Sequence, residues 1–205
     1  MSLSPWRPIV VDSGKTGFGD EKTAADIDRV IEAADGMRME AHLILKAWWA
    51  ETEAGVATRC ASETEIVELE TRYGVSLPND FRSYLAHGVP IADNWDAEDG
   101  NWWPLTQIKN IPDEYQHVVA EPIASHAAKH LFFLDHLQWC WAWAISCVPD
   151  ETFGRVALIG GHSEVYVADS FTDFVEQYIS SWCGVSRVPE VKPKNDSIWG
   201  RLLGR

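Results

Sequence analysis

The chain has 205 residues, 46% of them apolar, which is enough to bury a sizeable core without disulfides or metal. Its formal net charge of −14 argues against nucleic acid and anionic membrane as partners. It favours basic partners through long-range steering, although solubility alone would also account for it. The four cysteines, Cys60, Cys140, Cys147 and Cys183, lack C-x-x-C spacing. With no leader-like start and no run of about twenty apolar residues, the sequence predicts a soluble cytoplasmic protein with reduced thiols.

In chain order, residues 1–20 hold Pro5, Pro8 and three glycines and read as a loosely attached arm. Within it, Ser13-Gly14-Lys15-Thr16 has the ending of a phosphate-binding loop. Ile9 stands where the loop's upstream glycine would be, so the backbone could not wrap an anion. Residues 23–34 carry Ile27, Val30, Ile31 and Ala34 at helical spacing, giving a short helix that packs either on the domain or on a second copy as a dimer. A longer helix follows over 37–53, with Ala41, Leu45, Trp48 and Trp49 on one face.

The most informative stretch is 62–85, SETEIVELETRYGVSLPNDFRSYL. Ser62 and Glu65 make a capping box, Ile66, Leu69 and Tyr73 line a face, and Gly74 ends the helix in the left-handed conformation. Val75, Leu77 and Pro78 form an extended corner. A second helix begins near Asn79, carries Phe81, Tyr84 and Leu85 on its apolar face, and closes at Gly88.

Residues 91–101 are an acidic loop holding Asp93, Asp96, Glu98 and Asp99, with Trp95 and Trp102 as its aromatic shoulders. Residues 112–130 suggest one short helix broken near Pro122. Strands are expected over 131–134, 138–146, 153–159 and 164–167. In the second, Trp139, Trp141, Trp143 and Ile145 alternate with Cys140, Ala142, Ala144 and Ser146, which suits a central strand covered on both sides. Ser170 caps a last helix whose stripe is Phe171, Phe174, Val175, Tyr178, Ile179 and Trp182. The division expected is an arm and short helix over 1–36, a domain over 37–184 and a basic tail over 185–205. That tail carries +3, leaving −17 on the remainder.

Four of the pieces just described occur with Trp102-Trp103-Pro104-Leu105 in a fixed order. They are the 62–85 helix pair, the strand Trp139-Cys140-Trp141-Ala142-Trp143, the G-x-V-x-L strand over 154–158, and Ser170-Phe171-Thr172-Asp173-Phe174. This ordered set, spanning roughly 40 to 183, resembles the SUKH superfamily, which takes in many bacterial immunity proteins and a yeast regulator of cell-wall synthesis. The resemblance implies an α+β fold, a mainly antiparallel sheet of about five or six strands flanked by helices. It also implies a non-enzymatic protein that binds and neutralises a toxin domain. Many such toxins are nucleases with basic clefts, where an acidic protein can sit.

Loop chemistry places the contacts on Trp95, Asp96, Glu98, Asp99, Trp102 and Trp103, with Asp150 and Glu151 as a second acidic patch. Trp48, Trp141, Trp143 and Trp182 are assigned to the core. Trp95, Trp102 and Trp103 either form a binding patch or fold back over the sheet. A regulatory scaffold working through the N-terminal helix and basic tail is the alternative.

A metal-dependent enzyme is a further alternative, through His117, His126, His130 and His136. His126 and His130 are four apart but without an H-E-x-x-H motif, and ordinary surface histidines explain them. Gly160-Gly161-His162-Ser163-Glu164 lacks the G-x-S-x-G elbow and reads as a hairpin turn. No catalytic residue, cofactor or metal site is assigned.

Overall fold

A computed structural model describes residues 40–92, 94–160 and 164–186. The first helix, α1 (Ala41–Glu51), is followed by β1 (Thr58–Arg59), α2 (Glu63–Tyr73), α3 (Asn79–Gly88) and β2 (Val89–Pro90). Strands β1 and β2 pair antiparallel into a small ribbon that ties the two ends of the α2–α3 pair. Then comes a six-stranded sheet of β3 (Asn94–Trp95), β4 (Gly100–Trp102), β5 (His130–His136), β6 (Trp141–Ser146), β7 (Val156–Ile159) and β8 (Val165–Ala168). Its spatial order is its chain order, and every neighbouring pair is antiparallel. Between β4 and β5 lie α4 (Ile111–Glu114) and a 3-10 turn (Ala124–Lys129); α5 (Phe171–Ser180) and α6 (Trp182–Val185) follow β8. The architecture is α+β, as expected.

Local chemistry explains the helix ends. Ser62 Oγ accepts the Glu65 N–H at 3.3 Å while the Glu65 carboxylate accepts the Ser62 N–H at 2.8 Å, and Gly74 ends α2 at φ 61°. Helix α5 starts on Ser170, whose Oγ accepts the Asp173 N–H at 3.0 Å. Gly88 acts differently from Gly74. A Cβ there would stand 3.3 Å from His42 Cβ and from Lys46 Cε, so the glycine lets α3 close on α1.

The Glu65 carboxyl is held down to about 2, chiefly by hydrogen bonds from Arg59 at 2.7 and 3.1 Å and then by Ser62. A depressed carboxylate stabilises the fold above its ordinary value near 4.5, and that contribution disappears as pH falls towards 2. Melting temperatures recorded across this window should therefore fall more steeply for the parent than for Glu65→Gln. Parallel curves would show that the pair does not persist in solution.

Register sorts the sheet's side chains onto two faces. Trp102, Leu134, Trp143 and Leu158 are successive cross-strand partners and form one row; Trp95, Asn101, Asp135, Ala142 and Ile159 form the other. The first row meets α5 and α1. Trp102 stands edge-on to Trp49 at 5.6 Å and to Tyr178 at 5.6 Å, and Trp143 packs on Phe174 and Tyr178. Trp143 donates its Nε1–H to the Val185 carbonyl at 2.8 Å, which holds α6 down. Both rows of β6 from Ala142 to Ser146 are buried, as its uncharged faces predict.

The expected strands at 138–146 and 153–159 are shorter than their sequence patterns. Leu137, Gln138 and Trp139 take φ of 49°, 54° and 71°, so β6 starts only at Trp141, while Phe153 lies in the turn before β7. Of the tryptophans assigned to the core, Trp143 is fully buried, whereas Trp48, Trp141 and Trp182 are half-buried at its edge. The arm, the 23–34 helix, Ser13 to Thr16, His162 and the tail beyond 186 lie outside the described residues.

Candidate binding site

The β3–β4 hairpin carries most of the acidic loop, and its geometry follows from one carboxylate. Asp96 Oδ1 accepts the N–H groups of Glu98 and Gly100, both at 2.9 Å. Its Oδ2 accepts Trp102 Nε1–H at 2.7 Å and the Tyr178 hydroxyl at 2.8 Å. Burial, with Asp96 next, pushes the Tyr178 phenol well above its usual value, so it stays a proton donor.

Asp96 (7% exposed), Trp102 (0%) and Trp103 (4%) are thus interior groups in the chain by itself, and of the two alternatives for Trp102 and Trp103 the structure has them folded back over the sheet. Each indole N–H finds a carboxylate inside: Trp102 has Asp96, and Trp103 has Asp135 Oδ2 at 2.7 Å. A tryptophan whose polar handle is satisfied can be buried without penalty. Trp95, by contrast, is 41% exposed on the hairpin, beside exposed Glu98 and Asp99.

Next to that hairpin, on the face away from α5, lies a cleft of about 400 Å³. Trp95 and Trp139 stand among its walls, Glu114 and Lys109 pair at 2.6 Å on its rim, and Asn101 and Asp135 line it. Asp135 is tied by Asn101 Nδ2 at 3.0 Å as well as by Trp103, while Asn101 Oδ1 is buried with no hydrogen-bond partner. A second cleft of about 450 Å³ shares Glu114 and Trp139 and continues past Tyr115 and His117.

Trp139 is displayed by the left-handed turn at 137–139, where it lies flat against Tyr115 at 6.2 Å and edge-on to Phe132 at 5.0 Å. Three consecutive non-glycine residues with positive φ are costly backbone, and such strain gathers at functional turns. Glu114, Tyr115, Asn101 and Trp139 were not identified from the sequence as site residues. Trp139 continues an apolar alternation, and nothing in Leu137-Gln138-Trp139 signals a turn.

Asp150 and Glu151 are exposed in the β6–β7 connection, at the other end of β5 and β6 from the cleft, roughly 20 Å along a seven-residue strand. The Thr152 hydroxyl and N–H hold the Asp150 carboxyl below its ordinary value.

The histidines considered as metal ligands do not gather. His117 and His126 are exposed. His130 uses Nδ1 on the His126 carbonyl and Nε2 on the Tyr166 hydroxyl, both at 2.9 Å. His136 is buried between Trp141 and Trp182, with ring centroids at 4.9 and 4.6 Å. Burial raises the Cys147 thiol to about 12, which removes it as a nucleophile at neutral pH. Among the described residues one group of three metal-ligating side chains does converge: Glu40, just before α1, His42 on α1 and His87 on α3.

The described residues thus form an antiparallel sheet with helices packed on one face and, on the other, a cleft with aromatic walls beside an acidic hairpin. The chain belongs to the SMI1 / KNR4 family (SUKH-1), whose model matches residues 60–177, more than half its length. That membership supports an immunity or regulatory protein-binding domain. No curated protein matches the chain. Among the described residues no helix is long and apolar enough to cross a membrane.

Proposed function

We propose that this chain is a non-catalytic immunity protein that binds and neutralises a basic toxin domain through the hairpin tip and the adjoining cleft. The supporting observation is the cleft beside the β3–β4 hairpin, lined by exposed Trp95, half-buried Trp139 and Glu114, with Glu98 and Asp99 exposed on the same hairpin as Trp95. An arginine of the partner can stack on an indole face and still meet carboxylates, which a hydrated lysine does less well. Trp95 is the anchor in this reading, Glu98 and Asp99 steer the approach, and Asp150 and Glu151 make a second contact on a partner long enough to reach them.

The test is co-expression with the product of the adjacent gene, followed by affinity measured across salt concentration. Trp95→Ala should cost about 2 kcal/mol, roughly thirtyfold in Kd. Glu98→Gln with Asp99→Asn should slow association and flatten its salt dependence, and asparagine tolerates the positive φ at 99. A neighbour that binds all variants equally, or whose toxicity the chain does not relieve, would overturn the proposal. Binding lost only on removing 186–205 would point instead to a regulatory scaffold working through the tail.

A further inference from the structure

We propose that Glu40, His42 and His87 form a site for a divalent transition cation of the zinc type, bridging α1 to α3. One ligand atom from each lies within 4.8 Å of the others, and His42 Nδ1 is 3.2 Å from Glu40 Oε2. A carboxylate and two imidazoles are a donor set such ions favour, with a position left open for water or for a donor from a partner.

The surroundings resemble those of a ligand set more than those of a plain surface cluster. His42 is 8% exposed, and its Nδ1 is buried with no aligned hydrogen bond. His87 Nδ1 is 2.9 Å from the Ser83 carbonyl, a contact that keeps the proton on Nδ1 and leaves the lone pair on Nε2. Ser83 also donates its hydroxyl to Glu40 Oε2 at 2.7 Å, so one residue orients two of the three ligands. The two rings stack at 4.9 Å, brought together because Gly88 lets the helices approach.

One group opposes the cation. Lys46 donates to the His87 carbonyl at 2.6 Å, and its charge acts on His42. The site should therefore be weak in the parent chain and tighten when Lys46 is neutralised.

Titrating the full chain with zinc chloride by calorimetry tests this directly. One zinc per chain is expected, weakened at least about tenfold by His87→Gln and strengthened about tenfold by Lys46→Gln. His87 is exposed, so the glutamine variant should fold even if His42→Ala does not. Cobalt bound in place of zinc should show no thiolate charge-transfer band, which separates this site from the exposed Cys60 and Cys140. Absence of binding, a thiolate band, or an affinity indifferent to both His87→Gln and Lys46→Gln would each overturn the proposal. None of these outcomes bears on the cleft, which shares no residue with the site.

Discussion

Asp96→Ala is expected to lower the stability of this domain by about 3–5 kcal/mol, enough to remove a large part of a typical folding free energy. Four donors converge on one carboxylate. The N–H of exposed Glu98 can turn to water once it is gone, but the Gly100 N–H is buried, and Trp102 Nε1 and the Tyr178 hydroxyl are sealed in the core. Each then bears an unmet desolvation cost of about 1–3 kcal/mol. Asp96→Asn should recover little, because each oxygen serves two donors and an amide must turn its own NH₂ towards one of those pairs. Urea unfolding of the two variants against the parent measures this. A loss below about 1 kcal/mol in Asp96→Ala would mean that the hairpin is held by its strand pairing alone.

Gly100→Ala should be nearly as damaging, by a steric route. A Cβ at this position would stand 2.1 Å from Tyr178 Oη and 2.9 Å from Asp96 Oδ2, both at the buried junction just described. The phenol end belongs to a rigid, fully buried ring and cannot swing aside. The cost should be about 3 kcal/mol, the upper part of the range for overpacked cores. The pair Gly100→Ala with Tyr178→Phe makes the argument specific, since removing the hydroxyl opens the space the methyl needs. The double variant should be destabilised by less than the sum of the singles. Strict additivity would show that the glycine is needed for some reason other than Tyr178.

Asp96→Ala also serves as a control for the functional reading. Loss of partner binding in Asp96→Ala would report a collapsed hairpin, whereas loss in Trp95→Ala, on an exposed side chain, would report a contact. Asp96 sits between two tryptophans in an acidic loop, where it resembles a surface group until the structure shows it accepting an indole proton.

The helices were legible because their signals are local. Ser62 and Glu65 are three residues apart, as are Ser170 and Asp173, and Gly74 follows directly on the helix it ends. The covered central strand was legible for the same reason, since its alternation is contained within one segment. Trp95, Trp102 and Trp103 lie within nine residues of each other and share the same company, so no neighbourhood rule could separate them. Pairing decided their fates. Register set Trp102 in the row with Leu134 and Trp143, under α5, and Trp95 in the opposite row.

Trp103 went inside because Asp135, thirty-two residues on, supplies an acceptor for its N–H. Trp139 left the strand its alternation implied because the β5–β6 turn folds it back against Tyr115. By itself the sequence determined the helices α2, α3 and α5, the succession of strands from 131 to 167, and the acidity of the whole, because capping, periodicity and charge act over a few residues or need only counting; the short strands β1 to β4 needed their pairing partners. Which aromatic groups face a partner, and which histidines meet, was decided by the tertiary structure, because strand register and helix approach bring together groups that are remote along the chain.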